Sequence, residues 1–165
     1  MPGDGPTGLV TGSGWAYGAA VPVDVLTETV IGRPRDEVAR YAADPSNAPE
    51  WYENIRDAAW RTPPPLGVGS LFDFEARFLG RRLSYTYEVV DYVPGERLVM
   101  RTTDGPFAME TTYTWEALGP TTTRMTLRNR GEPSGFGAVA APALATAMRR
   151  ANRKDLARVK AVLEA

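Results

Sequence analysis

The chain predicts an α+β fold, one antiparallel sheet with its helices gathered on one side, and three observations carry that expectation. Residues 70–90 alternate with period two: Phe72, Phe74, Ala76, Phe78, Leu83, Tyr85, Tyr87 and Val89 share one face. Asp73, Glu75, Arg77, Arg82, Ser84, Thr86 and Glu88 share the other. Alternation of that length means strands with one dry and one wet face. Three further alternating runs follow, at 97–103, 107–118 and 121–130. The period then changes. Over residues 143–163, Leu144, Met148, Ala151, Leu156, Val159 and Leu163 recur at helical spacing. Strands in series followed by one long helix are a two-layer arrangement, the helix covering the dry face.

Taken in order, residues 1–21 are dense in Gly, Pro, Ser and Thr and lack periodicity, so a flexible N-terminal tail is expected ahead of a single domain at 22–165. Trp15 and Tyr17 are two aromatics in that tail that could dock on the body or on a neighbour. Residues 23–31 are β-branched and read as the first strand. Gly32 and Pro34 break it, and residues 35–43 have helical spacing with Val38, Tyr41 and Ala42 on one side. Asp44-Pro45-Ser46-Asn47 stops that helix and offers a cap for a second, short one ending near Tyr52. Residues 55–62 read as the next strand, ended by three prolines. The Gly67-Val68-Gly69 step joins strand to strand with no helix N-terminus behind it, so it reads as a turn and not as a phosphate loop. Turns rich in Pro and Gly at 92–96, 104–106 and 119–120 separate the remaining strands.

Composition bounds the chemistry. The 165 residues suit one domain with a real core, and a net charge of −1 gives no basic field for nucleic acid. The chain has no cysteine and no histidine. Disulfides, thiol nucleophiles, histidine-based triads and the usual soft metal ligands are therefore excluded, and no Asp-rich loop suggests a site for a hard cation. No resident cofactor or metal is expected. No window approaches the ~18 apolar residues of a membrane span, and the N-terminus lacks the charged start of a secretory signal, so a cytoplasmic location is the expectation. Arg149, Arg150, Arg153, Lys154, Arg158 and Lys160 on the last helix read as a solvated face. Monomer and homodimer both remain open.

Continuing the alternation assigns Leu98, Met100, Thr102, Met109, Thr111, Tyr113, Trp115, Met125, Leu127 and Asn129 to the dry face as well. Asp91, in step with Tyr85, is the only charged residue with that parity, while Glu75 and Arg101 face outward. A β-bulge would reverse the parity of residues beyond it.

In residues 30–51 (VIGRPRDEVARYAADPSNAPEW), 67–70 (GVGS), 87–101 (YEVVDYVPGERLVMR), 111–127 (TTYTWEALGPTTTRMTL) and 149–164 (RRANRKDLARVKAVLE) the chain resembles the START/Bet v 1-like superfamily. Within it the chain is most similar to the bacterial polyketide cyclase/dehydrase and lipid-transport group. The resemblance implies a helix-grip fold, a curved antiparallel sheet wrapped around a long C-terminal α-helix, with two short helices after the first strand. It implies a cavity between sheet and helix, but no particular activity, since such folds host carriers and enzymes alike.

The expected function is thus binding of a hydrophobic or aromatic small molecule, lipid- or polyketide-like, in that cavity. The alternative is a metal-independent cyclase or dehydratase, a lyase or isomerase, using Tyr85, Tyr87 or Tyr113 as proton donor. The candidate ligand-binding residues are Trp51, Phe72, Phe74, Phe78, Tyr85 and Tyr87, together with Met100, Thr102, Met109, Thr111, Tyr113, Asn129 and Met148. Trp51, on the short second helix, could stack on a ligand or wedge that helix against the sheet. The enzymatic alternative needs an ionisable group in the pocket that the strand parity does not supply.

Overall fold

The computed structural model describes residues 23–132 and 141–165. The tail expected at 1–21 and the approach to the last helix lie outside the described residues. Among the described residues, seven strands and three α-helices follow one another as β1 (Val23–Ile31), α1 (Arg35–Ala43), a 3-10 turn (Pro45–Asn47), α2 (Ala48–Trp51), β2 (Ile55–Trp60), β3 (Leu71–Phe78), β4 (Arg81–Val93), β5 (Arg97–Asp104), β6 (Ala108–Gly119), β7 (Thr122–Glu132) and α3 (Ala141–Glu164). The strands make one antiparallel sheet in the order β1-β7-β6-β5-β4-β3-β2, so a simple meander is closed by β1 pairing with the last strand. The sheet curls into a half-barrel, and α3 packs against β1 across its mouth.

Local chemistry accounts for the elements. The Asp44 carboxylate accepts from the Ser46 N–H at 2.9 Å, starting the 3-10 turn that leads into α2. The β3–β4 hairpin closes in two residues, Leu79 (φ 50°) and Gly80 (φ 75°), a pair of positive φ values that matches the strands' twist. Strand β2 stops at Trp60, two residues earlier than the sequence suggests, because the Thr62 hydroxyl then accepts from the Leu71 N–H at 2.9 Å in place of a ladder bond.

One bulge corrects the strand parity. Between β4 and β5 the register slips from Val89↔Met100 to Asp91↔Val99, leaving Val90 as the extra residue. Asp91 is thereby turned outward, where it pairs with Arg97 at 2.6 Å, and Tyr92 turns inward onto the core. The outer face otherwise carries the charge as expected. Arg128 grips Asp24 through two hydrogen bonds of 2.8 and 2.6 Å, and Glu110 accepts from both Arg101 and Arg130. Burial pushes the Glu110 carboxyl up, but the two guanidinium hydrogen bonds outweigh it and hold the group below its ordinary range.

The dry face divides into two packed groups. In the first, Val38 of α1, Trp51 of α2 and Leu156 and Val159 of α3 pack with Phe72, Leu98, Met125 and Leu127 of the sheet, all essentially inaccessible. Nearer the start of α3, Val23, Val25, Leu83, Met109, Leu144 and Met148 pack together. The space between these groups is not filled.

Candidate functional site

A cavity of about 140 Å³ lies between the sheet and α3. Its sheet wall is Phe74, Ala76 and Phe78 of β3, Leu83, Tyr85 and Tyr87 of β4, and Met100 of β5. Phe107, just before β6, then Met109, Thr111 and Tyr113 of β6 and Asn129 of β7 continue it. Tyr52, Asn54 and Ile55 close one end, and Leu144, Met148, Ala151, Asn152 and Asp155 form the helix wall. The rings are locked edge to face: Phe74 against Tyr87 at 5.7 Å between centroids, Tyr85 against Phe107 at 5.7 Å.

The lining includes two sets of hydrogen-bonded polar groups. The Tyr52 and Tyr113 hydroxyls lie 2.5 Å apart. The Thr111 hydroxyl donates to Asn129 Oδ1 at 2.8 Å, and Asn129 Nδ2 donates to Asn152 Oδ1 at 3.1 Å. Among the described lining residues Asp155, 2% exposed, is the one of charged type. Its Oδ1 accepts from the Glu53 N–H at 2.8 Å, and Glu53 pairs in turn with Lys154 at 3.4 Å. Burial pushes the Asp155 carboxyl from its ordinary 3.8 up to about 7, and the Glu53 N–H and the nearby Lys154 and Arg158 reverse only part of this. Burial raises the phenols as well: Tyr87 to about 12, less far than burial alone because of the Thr111 hydroxyl, and Tyr52, Tyr85 and Tyr113 also well above the ordinary 10. At neutral pH these phenols are hydrogen-bond donors and not bases. Asp155 is the lining group whose proton can come and go there.

Of the residues singled out in the sequence, Phe74, Phe78, Tyr85, Tyr87, Met100, Met109, Thr111, Tyr113, Asn129 and Met148 meet around this cavity. Trp51, Phe72 and Thr102 do not. Trp51 is fully buried behind the cavity, its ring 4.0 Å from that of Tyr52 and 5.9 Å from that of Tyr113, so it wedges α2 onto the sheet. Phe72 has the right parity but is sealed between Trp60 and Phe74. The Thr102 hydroxyl is spent on the Met109 N–H at 2.9 Å, where the β5–β6 ladder ends.

Sequence reasoning missed the helix's polar pair and the Tyr52–Ile55 segment. The ionisable group absent from the sheet comes from α3. Asp155 lies four residues after Ala151 and seven after Met148, on the same stripe, and reading that stripe from apolar residues alone passed over it. Tyr52 to Ile55 follow a helix of a single turn, and nothing in their pattern signals a wall.

Residues 22–164 match the family described as polyketide cyclase / dehydrase and lipid transport. The chain belongs to this family. Solved structures share its architecture. A START superfamily protein from Mycobacterium smegmatis superposes with a TM-score of 0.75 at 14% identity, over 86% of this chain and 97% of that one. The Zhui aromatase/cyclase from a Streptomyces species gives 0.70 at 16%, over 86% and 93%. A major latex-like protein from Panax ginseng gives 0.61 at 13%, over 81% and 95%. The helix-grip fold expected from the sequence is thus the fold observed. No curated protein is a detectable sequence relative. Among the described residues, no helix is long and apolar enough to cross a membrane, and no group of three or more acidic side chains could hold a metal ion.

Proposed function

We propose that this family member binds a small hydrophobic molecule, aromatic or polyketide-like, between its sheet and α3. The observation that carries this reading is the cavity itself. A wall of mainly Phe, Tyr, Met and Leu side chains encloses about 140 Å³, with a few polar groups among them. Such a lining binds by apolar contact and orients by a few hydrogen bonds. A cavity of roughly 150 Å³ takes a benzene-sized guest, so one ring or a short chain is the part of the ligand held inside.

The experiment is equilibrium dialysis of the protein against a mixture of small neutral aromatic and aliphatic compounds, with bound compounds identified by mass spectrometry. The native protein is expected to retain neutral aromatics. Ala151 faces the cavity from mid-helix, and Ala151→Phe is expected to fill it, weakening retention by at least about tenfold while the fold persists. No retention by the native protein, or equal retention by the variant, contradicts the reading.

One observation favours a second reading. A carboxyl poised near pH 7 beside a hydrogen-bonded phenol pair suits proton transfer, with Asp155 taking a proton and Tyr113 or Tyr87 donating to the oxygen that becomes negative. The similar fold of the Zhui aromatase/cyclase supports this reading. Here the reaction would be a cyclisation or dehydration without metal.

A further inference from the structure

The polar chain in the cavity has a direction, and it ends on an unused donor. Thr111 gives its proton to Asn129, and Asn129 gives one to Asn152 Oδ1. The Asn152 amide is thereby oriented with its oxygen spent and its Nδ2 turned away from Asn129. That nitrogen is fully buried and has no hydrogen-bond partner, and other atoms of Asn152 line the cavity. Buried polar atoms are nearly always paired, so Asn152 keeps one unspent hydrogen bond that a small turn of its amide would offer to an acceptor entering the cavity. Asn152 stands one helical turn from Asp155 in the helix wall of an otherwise largely apolar space.

The charge around it narrows the class of guest. Among the described residues no lysine or arginine lines the cavity, and Asp155 is the one acidic side chain that does. A carboxylate placed here would meet a like charge and no countercharge. A carbonyl oxygen can accept from Asn152 without bringing charge.

Resting on the binding function proposed above, we infer that Asn152 is a specificity residue that reads a neutral carbonyl oxygen, so that the cavity takes a small aromatic ketone, aldehyde or ester in preference to the matching hydrocarbon or carboxylic acid. The remaining lining gives the ring its apolar surroundings, and Asn152 sets which end of the guest lies toward Asp155.

The test uses three probes of nearly equal size, ethylbenzene, acetophenone and benzoate, with dissociation constants measured by equilibrium dialysis at about pH 8. Acetophenone is expected to bind about tenfold more tightly than ethylbenzene, the yield of one good neutral hydrogen bond, and benzoate most weakly. Asn152→Leu is expected to bring acetophenone and ethylbenzene within about twofold of each other while ethylbenzene remains bound. Asn152→Ala serves as the second variant where leucine crowds the wall. Equal binding of acetophenone and ethylbenzene by the native protein overturns the role of Asn152 but leaves the cavity a hydrophobic site. Tightest binding of benzoate overturns the carbonyl preference, and a preference for acetophenone that survives in both variants assigns the oxygen to another group. Failure of every probe to bind the native protein overturns the binding function as well.

Discussion

Asp155→Asn is expected to make the protein more stable at pH 8, relative to the native chain, than it is at pH 4. The folded protein keeps the Asp155 carboxyl protonated up to about 7, whereas the unfolded chain ionises it from 3.8. Between those values the unfolded state releases a proton that the folded state retains. Native stability therefore falls as pH rises through that window and is level above it. At about 1.4 kcal/mol per pH unit, the loss is on the order of 4 kcal/mol. Asparagine cannot ionise, and its oxygen can still accept from the Glu53 N–H, so the variant escapes the fall. Urea unfolding of both proteins from about pH 4 to 8 reads the difference directly. A constant difference across that range would mean that Asp155 is ionised in the folded protein throughout. The same variant separates the two functional readings: a carrier keeps its ligand, whereas an enzyme keeps its ligand and loses turnover.

Trp51→Ala is expected to cost about 3–5 kcal/mol, the range for removing a large ring from a closed site. The ring is fully buried and packs against Tyr52 and Tyr113, so its loss leaves a hole behind the cavity wall instead of enlarging the cavity. Trp51→Phe is expected to cost much less. It keeps most of the packing and removes an indole N–H that is buried without a partner. Ligand affinity of Trp51→Phe should stay within about twofold of native, because the ring touches the wall and not the guest. A loss of affinity without a loss of stability would assign Trp51 to the ligand.

These two residues show why the sheet was legible in the sequence and the site only partly so. Period-two alternation reports which face of a strand is dry, and it placed Phe74, Tyr85, Tyr87 and Tyr113 correctly on the face that borders the cavity. It does not report depth. Phe72 and Trp115 have the same parity as Phe74 and Tyr113 yet lie in solid core, since α1 and α2 cover their part of the sheet. Nor does alternation see a single inserted residue, which is how Val90 sent Asp91 outward. The apolar stripe located α3, but the functional side chains of a helix wall are its polar exceptions. Asn152 and Asp155 are such exceptions, and only the three-dimensional neighbours make them more than surface residues. The family resemblance supplied the architecture, which alternation alone left as a sheet with a cover.

The claim that an apolar guest sits between β3–β7 and α3 is tested most directly by the methyl signals of ¹³C-labelled methionine. Three methionines, Met100, Met109 and Met148, line the cavity from the sheet and the helix, while Met125 is buried in the neighbouring core. Titration with acetophenone is expected to shift the first three signals together, with one saturation curve, and to leave Met125 in place. Unmoved cavity signals, or a shift of Met125 alone, would contradict binding in this cavity.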